Sequence, residues 1–460
     1  MKLKLLLLLL LSSVAAMAQG EANNWFFGQF GGIRFQEDGS VLPLSGGQML
    51  TNEGCSTISD ADGNLLFYTD GRNVWDRNHV LMPNGNYDAG TGLNGDPSST
   101  QSGIIVPKKD NPDIYYIFTV DEPHHDNAAV YPNQFTGTYS DTGQTIPDAD
   151  DGFNNGLNYS IVDLSITGAN GSIGNVTTRN VHLVTYDPAN TEEAKFKCSE
   201  KITAVKNGDG SGYWVIAHFT NKFYAFSVNA TGVNETPVIT EITPLVPLGG
   251  YRRNAIGCIK ISPSGDKLAI AHQQFGSIPG EAEASGRVFL YDFDNVTGSL
   301  SNPVQVMSNV SPYGVEFSPQ GKKLYVSYST QPSSGDGLLN QYDLLSANIP
   351  GSSVVVGFTG QAGTLQLGPN GKIYRAVINS SFLDVIAAPE EDGAQCDFQP
   401  SSQFISGLCV FGLPPFITSF FSANILVANN CEGQATEFQL NVNGTFDSVE
   451  WDFGDGTAAS

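Results

Sequence analysis

Two histidines, His218 and His272, occupy the same place in two similar stretches, VIAHFT and AIAHQQ. Asp70, Asp121 and Tyr328 close or follow three further apolar runs of the same kind. Imidazole, carboxylate and phenol groups each offer a hydrogen-bond donor, an acceptor or both. Gathered on one face, they would form a binding surface for a glycan or a peptide. His124, His125 and Asp126, a few residues beyond Asp121, would join that surface from an adjoining loop. The competing reading is that these are ordinary polar strand ends.

Other chemistries are less well served. A transition-metal site needs three or four converging ligands, and neighbouring histidines on an extended chain point apart, so no metal site is expected. The stretch DADGN, Asp60 to Asn64, begins like a calcium loop, but an apolar LLFY follows and the twelfth position is Gly71 rather than a glutamate. Asp148 to Asp151 would attract calcium only loosely, and no cofactor is expected. The chain has no G-x-S-x-G, no phosphate-binding glycine loop and no H-E-x-x-H. A secreted hydrolase or lactonase with a site in a central channel remains the enzymatic alternative, on architectural analogy alone.

The elements that must position these residues repeat. ISPSGDKLAIA (Ile261 to Ala271) reads as strand, tight turn and returning strand, because Pro presets a turn and Gly accepts positive φ. FSPQGKKLYVS and LGPNGKIYRA are close copies; ISDADGNLLFY, VPKKDNPDIYYIF and VKNGDGSGYWVIA are looser ones. The turn glycines Gly210, Gly265, Gly321 and Gly371 are 55, 56 and 50 residues apart. Such periods are those of four-stranded propeller blades. Six internal units result. The fold expected is all-β, a β-propeller of seven blades, with the seventh pairing GLPPFITSFF (412–421) with the N-terminal strands of Asn23 to Leu44 and so closing the ring.

The chain opens with Lys2 and Lys4, an unbroken leucine run and a small-residue site at Ala16-Met17-Ala18, the pattern of a signal peptide over residues 1–18. No second apolar run of membrane-spanning length follows, so an exported protein that is not integral to a membrane is expected, with the export machinery as a partner. A formal charge of −24 argues against nucleic acid and anionic membrane surfaces. Of the six cysteines, Cys396 and Cys409 make the best disulfide pair, while Cys55 and Cys258, in GCSTIS and GCIKIS, read as buried thiols of inner strands.

From residue 422 the pattern changes: TEFQLNV alternates like a sandwich strand, and WDFGDGT (Trp451 to Thr457) resembles the signature of PKD domains, immunoglobulin-like modules of surface proteins. Domains are therefore expected at 1–18 (signal), 19–421 (propeller) and 422–460 (an incomplete PKD β-sandwich). The series NNWFFG, EGCSTISDADGNLLFYTDG, VWDRNHVLMPNG, STQSGIIVPKKDNPDIYYIFTVD and GLPPFITSFF resembles the N-terminal region of large PKD-containing cell-surface proteins of Bacteroidota. Those resemble type IX secretion cargo with a gliding-motility-associated C-terminal domain. The resemblance implies a cell-surface, noncatalytic binding or adhesion protein for a glycan or protein ligand, and no catalytic residues come with it.

Overall fold

The computed structural model describes residues 20–123, 154–276, 284–331, 335–358, 360–421, 424–428 and 437–441. The signal segment, His124, His125, Asp126, Asp148 to Asp151, Cys431 and the WDFGDGT motif lie outside them.

The repeated turn sets the architecture. In all six copies the chain closes on itself with the same backbone bond, three residues back: Gly63 to Asp60, Asn111 to Lys108, Gly210 to Asn207, Gly265 to Ser262, Gly321 to Ser318 and Gly371 to Gly368. The turn needs a left-handed residue, with φ of 67° to 79° at the five glycines. Each turn joins the inner strand of a blade to the next strand outwards. The inner strands, Ser56–Ser59, Gly103–Pro107, Ile202–Lys206, Ile259–Ile261, the end of Ser299–Phe317, and Leu365–Leu367, lie against one another in chain order around a channel. Packed between neighbouring blades, they are buried on both faces, their polar members such as Thr57, Lys260 and Gln366 included.

Outer strands complete the blades. The second blade has four antiparallel strands, ending in Leu157–Thr167 and Ile173–Leu183; the first has three. Ser299–Phe317 serves two blades. Its first half pairs with Gly286–Asp294 as the outer strand of the fourth, and its second half pairs with Lys323–Ser329 as the inner strand of the fifth. Phe398–Cys409, the outer strand of the sixth blade, is shared in a similar way: Leu408 and Ser406 pair with Gln29 and Gly32 of the N-terminal strand Gln29–Phe35.

That pairing closes the ring. Asn24–Phe27, Gln29–Phe35 and Val41–Pro43 form the seventh unit between the sixth and first blades. On one side the Asn24 side chain donates to Ser59 Oγ and the Gly63 carbonyl, both at 2.9 Å. On the other, the buried Trp25 ring meets Tyr374 of the sixth blade at 5.5 Å, backed by Phe35 of its own unit at 4.9 Å. Truncating such a ring to alanine costs about 3–5 kcal/mol.

Residues 412–421 behave differently from the expected ladder strand. They are buried throughout, and Phe416 packs 5.8 Å from Trp25, but they pair with no strand. Pro414 and Pro415 have no N–H to give a ladder. Instead the segment crosses the channel. The Leu413 N–H donates to Thr364 Oγ1 beside the sixth blade's inner strand, and Ser419 Oγ receives the Lys206 N–H of the third. The channel is thus plugged from within.

The Cys396–Cys409 bridge expected from the sequence is not formed, and both thiols are free. They stand at opposite ends of Phe398–Cys409, which lies along the seven residues of Ser380–Ile386, a span of about 20 Å at about 3.3 Å per residue. A disulfide tolerates only about 7 Å between Cα atoms.

Candidate functional site

The strand ends singled out by the sequence all lie on the face opposite the repeated turns, but mostly below its surface. His218 and His272 do come together, their ring centroids 5.1 Å apart, at 1% and 0% exposure. Burial, together with the ammonium of Lys201, pushes both well below the ordinary histidine pKa, so the pair is neutral. Asp70, Asp121 and Tyr328 each close a contact within their own blade. Asp70 caps the turn at Arg72 and Asn73; Asp121 accepts from the Glu122 and Asn155 N–H groups; the Tyr328 hydroxyl donates to Asn340.

A cavity of about 170 Å³ opens one residue further on. Side chains alternate along a strand, so where His272 and Tyr328 turn into the blades, Gln273 and Ser329 line the cavity. Ser311 and Tyr313 come from the start of the fifth blade's inner strand. Glu53 precedes that of the first blade, and Arg253 comes from the short helix Tyr251–Asn254. Phe411, Ile256 and Ala362 supply the apolar surface.

Several features hold this mouth in shape. Asn254 Nδ2 reaches the carbonyls of Pro247, Gly249 and Gly276, at 2.8, 3.1 and 2.9 Å, and so fixes the loop that carries Arg253. Buried Lys201 donates to the carbonyls of Asn254 and Ala255 in the same turn; burial brings its pKa down to about 7, against the opposing pull of Glu200. The Arg375 guanidinium, paired with Asp384 at 2.6 Å, also donates to the Gln361 carbonyl at the rim. Glu200 Oε2 accepts from both the N–H and the hydroxyl of Thr100.

Glu53 is the group whose chemistry is most altered. Burial, then repulsion from Glu200, raises its pKa well above the ordinary carboxyl range, opposed by the Tyr313 hydroxyl and by Arg253. It therefore keeps its proton to higher pH and can donate a hydrogen bond. One buried oxygen of the wall, Gln273 Oε1, has no hydrogen-bond partner among the described residues, while the Tyr313 hydroxyl faces the Glu53 carboxyl. The cavity thus offers a carboxyl of raised pKa, a guanidinium, an amide and a phenol around an apolar floor. Such a set suits a small polyhydroxylated molecule. No cluster of three metal-ligating side chains occurs among the described residues, and no described helix is long and apolar enough to cross a membrane.

Glu53 escaped the sequence reading, yet a signal was there. Glu53-Gly54-Cys55 and Ile256-Gly257-Cys258 are the same repeat position, and both first residues line the cavity. Extending that alignment by one residue puts a carboxyl where its counterpart has isoleucine.

The fold and site together define a closed, all-β propeller with a polar cavity at the mouth of a plugged channel. No family model and no curated protein matches the chain. Among solved structures, a Bacteroides fragilis protein provisionally described as a 6-phosphogluconolactonase is 12% identical at a TM-score of 0.47, over 87% of this chain and 98% of that one. The periplasmic gluconolactonase PpgL of Pseudomonas aeruginosa is 12% identical at 0.43, over 84% and 97%. The β-propeller domain of Cps50 (Swd1) from Myceliophteria thermophila is 13% identical at 0.38, over 81% and 94%. At such values these likenesses bring neither a substrate nor a residue role to this chain.

Proposed function

We propose that the protein is an exported, noncatalytic binding propeller that takes one sugar unit of a cell-surface glycan in the cavity at Glu53, Arg253, Gln273 and Tyr313. The observation that carries this reading is the unpartnered buried Gln273 Oε1 facing a space of sugar size, with Glu53, Arg253 and Tyr313 around it. An unsatisfied buried polar atom costs about 1–3 kcal/mol, and a ligand hydroxyl relieves that cost. The PKD-like sequence beyond residue 421 fits a role as a presenting module, and the N-terminal segment fits export. A glycan array probed with the purified protein tests the proposal. Binding of a defined glycan class, with the glycan recovered intact, supports it; an array blank at every glycan overturns it.

A second reading rests on Glu53 alone. A carboxyl that keeps its proton near a second carboxylate, Glu200, is suited to give that proton to a leaving oxygen in hydrolysis. Release of product from an array ligand or a lactone, abolished in Glu53→Gln, would establish hydrolysis in place of binding.

A further inference from the structure

The face that carries the repeated turns holds a second cavity, of about 250 Å³, between the inner hairpins of the second and third blades. Lys109 reaches it from one hairpin; Lys206, Asn207 and Tyr213 come from the other. The chain has 46 acidic against 22 basic residues, yet this cavity is lined by two lysines and no carboxylate.

Two of its groups have hydrogen-bonding capacity that no described residue takes up. The Lys206 side chain is half-buried, its Nζ 5.9 Å from the centre of the Phe420 ring, and no hydrogen bond or ion pair among the described residues satisfies the ammonium. Asn207 is 7% exposed; its Nδ2 donates to Ser211 Oγ at 3.0 Å, and its Oδ1 has no partner. Nearby carboxylates leave the space open. Asp209, close to Lys109, accepts from the Ser211 N–H; Glu21 attracts the Lys206 ammonium, but it does not line the cavity and is held above its ordinary pKa by burial. Lys109 Nζ already donates to the Gly210 carbonyl at the rim and retains two further donors.

We propose that this cavity is a binding site for a carboxylate bearing a hydroxyl on the second carbon from it, as in a uronic acid. The carboxylate lies between the ammonium groups of Lys206 and Lys109. Its hydroxyl donates to Asn207 Oδ1, and its carbon skeleton rests against Tyr213. The same chemistry occurs in a free sugar acid and in the uronic acid end of a glycan chain. The site lies across the propeller from the cavity at Glu53 and does not depend on how that cavity functions.

The test is calorimetric titration of the full protein with glucuronate, a glucuronate-ended oligosaccharide, acetate and glucose at low salt. Glucuronate is expected to bind about tenfold tighter than acetate, with no detectable heat from glucose, because both the charge and the hydroxyl are needed. Lys206→Met should weaken glucuronate about tenfold or more and Lys109→Ala about threefold, with melting temperatures unchanged. Oligosaccharide binding above that of the free acid identifies a glycan end as the source; equal or weaker binding identifies the free acid. Equal affinity for acetate and glucuronate, no binding of glucuronate, or unchanged binding in both variants would overturn the proposal.

Discussion

Lys260 and Glu316 form a buried pair, 3.0 Å apart and 4% and 3% exposed, on the inner strands of the fourth and fifth blades. Glu316 also accepts the N–H of Leu367 on the sixth blade's inner strand, while Lys260 reaches Gln366 there. Three consecutive blades are thus tied around the channel through one carboxylate. Glu316→Ala leaves the Lys260 ammonium buried without its partner, a change that costs about 3–5 kcal/mol. For a propeller of about 400 residues, an unfolding entropy of about 2 cal/mol/K per residue turns ~4 kcal/mol into a fall of about 5 °C in Tm. The double variant Lys260→Met with Glu316→Leu also loses the hydrogen bonds to Leu367, Phe317 and Gln366, at about 1 kcal/mol each, but buries no unpaired charge, so it should be less destabilised than Glu316→Ala. Differential scanning calorimetry at one scan rate compares the three proteins. A Glu316→Ala variant within about 1 °C of the parent, or a double variant as unstable as the single one, would refute the argument that an uncompensated buried charge dominates.

Three further outcomes follow from the same structure. Glu53 has a raised pKa in the folded state, so its contribution favours folding below about pH 4, where both states hold the proton, and is lost as pH climbs through the folded value. Glu53→Gln should therefore flatten this part of the stability profile and raise stability at neutral pH; urea midpoints at pH 4 and pH 8 check it. A Cβ on Gly412 would stand 1.5 Å from the Glu53 carbonyl, so Gly412→Ala forces the plug and the Glu53 loop apart and should cost about 1–3 kcal/mol, read as a lowered urea midpoint. Cys55, Cys198, Cys258, Cys396 and Cys409 are buried with thiols pushed up by desolvation, so Ellman's reagent should leave them unmodified in the native protein and react with all five in denaturant without prior reduction.

The turns were legible because their chemistry is local: a glycine at positive φ and a backbone bond three residues back are written in five or six contiguous letters. Repetition then supplied the topology. The seventh unit was only half legible. Its ladder comes from Leu408 and Ser406 pairing with Gln29 and Gly32, across nearly the whole chain, while the anticipated partner segment carries two prolines and crosses the channel instead. Cys396 and Cys409 look adjacent in sequence, but whether they can meet depends on whether the intervening residues fold back or extend, and they extend. The site was missed by a single residue. His272 and Tyr328 mark the right strand ends, yet the two-residue side-chain period sends them inwards and presents Gln273 and Ser329 to the cavity. The lysine-lined cavity is invisible in sequence because Lys109 and Lys206 belong to different blades.

The central claim is that the cavity at Glu53 binds a sugar through the polar side chains of its wall, Gln273 and Tyr313 among them. The most direct measurement is titration calorimetry of the strongest array glycan against the parent protein, Tyr313→Phe and Gln273→Ala. Each variant removes one hydrogen bond to the ligand, so affinity should fall about threefold to tenfold in each, and by about the product in the double variant, with Tm held. Affinity unchanged in all three variants would contradict the assignment of this cavity as the binding site.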